Sequence, residues 1–192
     1  MSKSVLLMSM SVDGYIAGPN DDRGNPGGDG FMRLHKWYEN SAGEFGKPDG
    51  EAGVIWDELN ATGAIVVGRR TAEQVDYYGG DHHGVPIIVL SSKPIPPEAA
   101  KYPTVTFMSD ITAAMAAAKE AAGDKDVLVH GAYTAQKALE AGVLDELQID
   151  QVPVLFGEGL RLFDVLSQRI ELEIARVIDT PEATHLRYRV VR

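Results

Sequence analysis

Apolar and polar positions along the 192-residue chain fall into two recurring patterns. Short apolar runs come at 5–10, Ala64-Ile65-Val66-Val67, Pro86-Ile87-Ile88-Val89-Leu90 and Asp126-Val127-Leu128-Val129, and two further strands are read at Thr104-Val105-Thr106-Phe107 and 146–153. Runs of this length with little alternation read as strands buried on both faces of a largely parallel sheet. Between them lie segments with helical character: 51–59, a helix beginning near Thr71, 111–122 and 133–141. Asp110 is placed to cap 111–122, Gly123 to close it, and Gly142 stops 133–141. The final segments, 170–178 and 184–191, alternate polar and apolar residues around Thr180-Pro181-Glu182-Ala183, which predicts an antiparallel hairpin. Strands alternating with helices and closed by a hairpin predict an α/β fold. Its central sheet is mixed and mostly parallel, with helices on both faces.

Residues 18–50 break the pattern. Seven glycines from Gly24 to Gly50 punctuate them, and a loop this long inside a compact domain usually carries function. A short helix over 31–38 fits within it. Trp37 and Tyr38 could either stack on a planar ligand or pack onto the sheet.

The length suits one domain over 1–192, and 44% hydrophobic with 24% charged residues is a globular composition. There is no cysteine, which removes disulfides, thiolate metal sites and cysteine nucleophiles. The N-terminal apolar stretch is too short for a signal-peptide core, and no run is long enough for a bilayer, so a cytoplasmic protein without membrane contact is expected. A net charge of −10 argues against nucleic-acid partners. The sequence lacks G-x-G-x-x-G after the first strand, G-x-x-x-x-G-K-[ST], H-E-x-x-H and G-x-S-x-G. His82-His83 beside Gly79-Gly80-Asp81 reads as an exposed loop, and no metal is expected.

In sheets of this kind ligands bind beyond the carboxyl ends of the strands. Four segments follow strands there. Ser11-Val12-Asp13-Gly14-Tyr15-Ile16-Ala17-Gly18 contains a tight turn. Gly68-Arg69-Arg70-Thr71 leads into a helix whose free amides, helped by two arginines and a hydroxyl, suit phosphate. Ser91-Ser92-Lys93 offers hydroxyls and an ammonium to a ribose phosphate, the group that tells NADPH from NADH. His130-Gly131-Ala132-Tyr133-Thr134-Ala135 is a small-residue turn that lets backbone approach a pyrophosphate, or lets helix and sheet pack closely.

These segments, in this order, resemble the dihydrofolate-reductase-like superfamily, and within it the C-terminal reductase domain of the bifunctional riboflavin-biosynthesis deaminase-reductase. Val143-Leu144-Asp145-Glu146-Leu147, Pro153-Val154-Leu155-Phe156-Gly157-Glu158-Gly159 and Leu162-Phe163 add to the likeness, while the zinc deaminase signature is missing. The resemblance implies a three-layer sandwich, an NADPH-dependent reductase and a homodimer. Under it, Ile16 and Ala17 flank the nicotinamide. Gly68, Arg69, Arg70 and Thr71 hold phosphate groups, and Ser91, Ser92 and Lys93 take the 2′-phosphate. Gly131, Ala132, Tyr133, Thr134 and Ala135 cradle the pyrophosphate. The family turn is commonly Gly-Gly, and a methyl group at Ala132 would limit backbone approach. The implied substrate is a small pyrimidine- or pterin-like molecule; in the riboflavin pathway it is a ribosylamino-pyrimidine phosphate. Asp13 and Asp57, with Glu58, are the weak candidates for the proton donor; the family's acid has no clear match among them, and each could instead be structural. Two alternatives stay open: dihydrofolate-reductase-like activity, or a non-catalytic dimeric nucleotide-binding protein that keeps the fold.

Overall fold

The computed structural model describes residues 2–164 and 166–191. Its strands are β1 (Ser4–Ser11), β2 (Tyr15–Ala17), β3 (Ala64–Gly68), β4 (Ile87–Leu90), β5 (Val105–Met108), β6 (Val127–His130), β7 (Glu146–Val152), β8 (Leu160–Arg161), β9 (Leu172–Asp179) and β10 (Thr184–Val190). Its α-helices are α1 (Phe31–Leu34), α2 (Gly53–Asn60), α3 (Arg69–Gln74), α4 (Ile111–Ala122) and α5 (Ala132–Glu140).

Eight strands form one sheet in the order β5-β4-β3-β6-β1-β7-β10-β9. The pairings from β5 to β7 are parallel, and β10 and β9 join antiparallel as the closing hairpin. The central strands β3 and β4 are apolar throughout because successive side chains enter opposite cores. Leu6, Val66, Ile88 and Val129 pack on one face with Ala114, Met115 and Ala118 of α4 and Ala135 and Leu139 of α5. Leu7, Ile65, Val67, Ile87, Val89 and Leu128 pack on the other with Leu34, Trp37, Ile55 and Tyr77. The three-layer sandwich follows directly.

Local signals hold where they are strong. Asp110 Oδ1 accepts the Ala113 amide at 2.7 Å and Gly123 leaves α4 at φ 62°, the expected cap and stop. Three boundaries move. The helix expected near Thr71 starts at Arg69, because the chain turns immediately after Gly68. The segment 51–59 divides into a 3-10 turn over Gly50–Ala52 and α2, and 31–38 divides at His35 into α1 and a 3-10 turn over Lys36–Tyr38. The two-stranded ribbon of β2 and β8 has no counterpart in the sequence pattern. Three residues pairing with two are too few to show a period.

The hairpin has two unlike faces. On one, Arg176 grips Glu58 at 2.6 and 2.8 Å, and Arg187 bonds Glu146 at 2.7 Å. On the other, Leu172, Ile174 and Val177 of β9 are exposed at 40, 68 and 52%. No helix among the described residues is long and apolar enough to cross a membrane.

Candidate active site

The sheet order sets the site. β4, β3 and β6 are neighbours, and Val67 lies level with both Val89 and His130. The loops that follow these strands therefore leave the sheet side by side. They enclose a cleft of about 460 Å³ lined by Gly68, Arg69, Arg70 and Thr71, by Ser91, Ser92 and Lys93, and by Gly131, Ala132, Tyr133 and Thr134. Ala135 is fully buried behind it.

Gly131 begins the turn into α5 at φ +89°, a conformation L side chains rarely adopt, and an added Cβ would meet Thr71 Oγ1 at 3.0 Å. The first amides of an α-helix have no partner within it, so those of Ala132, Tyr133 and Thr134 are left to a ligand or water. Thr134 Oγ1, buried in the same wall, finds no hydrogen-bond partner. Ala132 is 6% exposed and belongs to the apolar cluster beneath α5. The left-handed turn thus falls on Gly131 rather than on its neighbour.

The arginines already have partners. Arg69 Nε lies 2.6 Å from Glu73 Oε1, and its Nη1 donates to the Pro94 carbonyl at 2.7 Å, tying α3 to the loop after β4. Arg70 turns the other way and pairs with Asp21 Oδ2 at 2.8 Å. Asp21 also accepts the Gly27 amide at 2.9 Å and the Gln74 side chain. The long loop is thereby fastened to α3. Ser91 Oγ accepts the Lys93 amide at 3.2 Å, and Ser92, Lys93 and Tyr133 are exposed.

A second chamber of about 230 Å³ adjoins the cleft and shares Arg70, Thr71, Gly131 and Leu160 with it. Ile16 and Ala17 stand in its wall, held by the β2–β8 pairing. The long loop supplies Asp21, Pro26, Gly27, Phe31, His35 and Tyr38. Leu7 and Met8 of β1, His130 of the adjacent β6, and Gln74, Val75 and Tyr78 complete the lining. Tyr78 Oη lies 3.0 Å from His130 Nδ1. Burial, with some repulsion from His82, His35 and His83, pushes the His130 imidazole down to about 3. His35 is also lowered by burial, and burial raises the Tyr78 and Tyr38 phenols. The titratable rings facing the chamber are therefore neutral at pH 7.

Asp13 and Asp57 line neither space. Asp13 accepts the Ser11 hydroxyl at 2.6 Å and the Phe156 and Gly157 amides at 3.1 and 2.7 Å. The Ser11 bond, then the two amides, hold its carboxyl down near 2 despite partial burial, so it pins one turn to another as an anion. Asp57 is 59% exposed and pairs with Lys47 at 2.6 Å, while Glu58 serves Arg176 and Arg187. Trp37 is buried, donates to Ser9 Oγ at 2.9 Å and meets His185 edge-on, so it packs on the sheet. Only Tyr38 of that pair reaches the chamber. His82 and His83 are half-buried rather than an exposed loop: His83 reaches Thr62 Oγ1 at 3.0 Å and His82 meets Tyr78 edge-on. Among the described residues no group of His, Cys, Asp and Glu is arranged to hold a metal.

Sequence reasoning missed Tyr78, His130, His35 and Asp21 as lining residues. His130 had a signal, since it directly precedes the Gly131 turn. The others arrive from a loop and a turn with no periodicity. One consequence of the buried imidazole is testable. The unfolded chain protonates His130 near pH 6.5, whereas the folded chain resists down to about 3. Its contribution is fully present above pH 6.5 and is lost as pH falls, by up to about 1.4 kcal/mol per pH unit. Urea unfolding at pH 7.5, 6 and 5 should show this decline, with a shallower slope in His130→Gln; equal slopes would contradict a neutral, buried His130.

No curated protein matches the chain in sequence. Among solved structures, a putative riboflavin biosynthesis protein from Shewanella sp. PV-4 superposes with a TM-score of 0.74 at 22% identity, covering 99% of both chains. A diaminohydroxyphosphoribosylaminopyrimidine deaminase/5-amino-6-(5-phosphoribosylamino)uracil reductase from Thermotoga maritima gives 0.66 at 13% identity, over 99% of this chain and 57% of its own. A pyrimidine reductase-like protein from Corynebacterium diphtheriae gives 0.61 at 15% identity, over 100% of this chain and 92% of its own. Such identities speak for the fold alone. The RibD C-terminal domain family matches residues 3–186, nearly the whole chain. With that match over nearly the whole chain, and with a dihydrofolate-reductase-like mixed sheet, the chain belongs to the RibD C-terminal domain family.

Proposed function

We propose that the protein is an NADPH-dependent oxidoreductase of the cytosol that reduces a small pyrimidine- or pterin-like molecule, akin to the reductase activity named for the Thermotoga protein. The observation that carries this reading is the meeting of three strand-end loops in one cleft that adjoins, beside Ile16 and Ala17, a smaller and mostly apolar chamber.

The cleft fits the cofactor on two counts: the free amides that begin α5, and the partnerless Thr134 hydroxyl among them. Those groups would hold the pyrophosphate, and Gly131 keeps the approach clear of side-chain atoms. Ser91, Ser92 and Lys93 at the outer rim would hold the 2′-phosphate. Arg69, fixed by Glu73 and the Pro94 carbonyl, holds the two rims together and adds positive charge. Ile16 and Ala17 would flank the nicotinamide, and NADPH, when bound, would supply the hydride to a substrate in the chamber. The long loop and Leu7 exclude water from that chamber. Tyr78, His130 and His35 are the groups that bear exchangeable protons there, and they replace Asp13 and Asp57 as candidates for handling the substrate's proton.

A homodimer would use the uncovered side of the closing hairpin, where Leu172, Ile174 and Val177 leave an apolar face at the sheet's edge.

Two measurements check these assignments. Ser92→Ala combined with Lys93→Ala should weaken NADPH about tenfold or more in a fluorescence titration and leave NADH nearly unchanged, since only the charged contacts to the extra phosphate are lost. Equal losses for both cofactors would place the phosphate elsewhere. Ile174→Arg should convert a dimer to a monomer in light scattering after size-exclusion chromatography; an unchanged mass would put the interface on another face.

A further inference from the structure

The chamber shares one face of the sheet with a second hollow. This hollow, about 300 Å³, sits where β3 and β6 begin, and Thr62, Leu128, Asp124 and Lys125 contribute to its lining. Leu7 borders both spaces. Asp124 and Lys125 are exposed, so the hollow meets solvent, whereas the long loop walls the chamber. Between the two stands a row of rings: His83, His82, then the Tyr78–His130 pair.

The row is joined ring to ring. His83 Nε2 lies 3.0 Å from the Thr62 hydroxyl and 3.2 Å from the Thr62 carbonyl. A carbonyl only accepts, so Nε2 carries the hydrogen and Nδ1 is bare. That bare nitrogen accepts from His82 Nδ1, which leaves His82 Nε2 as the bare end of the row. The His82 ring stands edge-on to Tyr78, 4.7 Å between centroids, and 6.1 Å from His130. Tyr78 Oη and His130 Nδ1 meet at 3.0 Å in the chamber lining. Burial lowers His82 to about 4, helped by His83, and lowers His83, helped by Lys125; Asp81 opposes both. With His130, all three imidazoles are neutral at pH 7, each with one donor and one acceptor nitrogen.

Left-handed backbone aims these rings. Asp76, Tyr77 and Tyr78 lie at φ 45°, 54° and 55°, followed by Gly79 and Gly80 at 65° and 75°, and His83 lies at 48°. Non-glycine residues in this region are costly and persist only where their surroundings enforce them. The anchors are visible. Tyr77 is 1% exposed and packs against Tyr102 and Phe107. Asp76 Oδ2 accepts the Tyr102 hydroxyl and the Lys101 ammonium. The run thus sends Tyr77 into the core and Tyr78 to the chamber. The turn at His83, where Asp81 accepts the Gly84 amide, brings the His83 ring to Thr62.

We propose that His83 and His82 form a proton path from solvent in the hollow to the Tyr78–His130 pair, with one water spanning the gap beyond His82. The proposal rests on the reductase reading for the use of the proton. Reducing a C=N or C=O bond adds a hydride to carbon and a proton to the nitrogen or oxygen. The pair gives up that proton and regains one through the path. Each ring takes a proton on one nitrogen and releases one from the other, so the solvent loses one proton and no ring stays charged. A ring flip returns each imidazole to its starting tautomer. His82 and His83 act through the pair, as positioning residues.

Hydrogen exchange between water and histidine ring N–H groups tests the path without any substrate, by NMR on the full chain carrying isotope-labelled histidine. His185 is the internal reference, since it is 1% exposed and bonded to buried Asp150. The His130 ring N–H should exchange at least about tenfold faster than that of His185. His82→Phe keeps a ring against Tyr78 and removes both nitrogens; it should slow His130 about tenfold and leave His185 unchanged. His83→Phe should do the same. Equal rates for His130 and His185 in the unaltered chain, or His130 exchange within twofold of the unaltered rate in both variants, overturns the proposal. The comparison of the two histidines stands even if a variant folds poorly. NADP⁺ added to the same sample separates the two readings. Fast, His82-dependent exchange without any NADP⁺ binding would sink the reductase reading and leave the path standing.

Discussion

Register is the constraint beneath the whole arrangement. Val67 lies level with Val89 on one side and His130 on the other, so three parallel strands end on one line. Parallel strands need crossovers, and here α3, the segment after β4 and α5 begin at that line. Segments separated by some sixty residues of chain become walls of one cleft for this reason alone. The hydrophobic effect maintains the register, because β3, β4 and β6 are buried on both faces and a slip of one residue would exchange the two cores.

A second constraint divides the space. Asp21 reaches from the long loop to Arg70 and Gln74 on α3 and closes the loop over the sheet. Outside the closure lies an open cleft with free amides, hydroxyls and a lysine. Inside it lies a smaller chamber in which burial keeps imidazoles unprotonated and phenols protonated. The same buried surroundings that strengthen hydrogen bonds there also penalise an unpaired charge. One ion pair thus separates an open, polar cleft from a smaller, mostly apolar chamber.

Much of this was legible in the sequence because it is encoded locally. Continuous apolar runs announce doubly buried strands, and Asp110 with Gly123 brackets α4 through its own caps. The three loops of the cleft could be named because each directly follows such a strand. Tyr78 and Asp21 were not legible. Tyr78 depends on a left-handed run stabilised from Tyr102 and Phe107, and of its five residues only Gly79 and Gly80 hint at that conformation. Asp21 meets partners about fifty residues away. Arg69 and Arg70 stood out by scarcity of basic residues, yet scarcity cannot show that Glu73 and Asp21 would engage them. Asp13 drew attention as an acid beside a turn, and the turn at Phe156-Gly157 that claims it lies at the far end of the chain.

The central claim is that strand-end amides form a cradle for a nucleotide's phosphates. Backbone amide chemical shifts, followed by NMR as NADPH is added, test it most directly. The account predicts that Gly131, Ala132, Tyr133 and Thr134 move together with Ser91, Ser92 and Lys93, at one apparent affinity. Shifts confined to another face of the sheet, or no shifts at saturating cofactor, would contradict it.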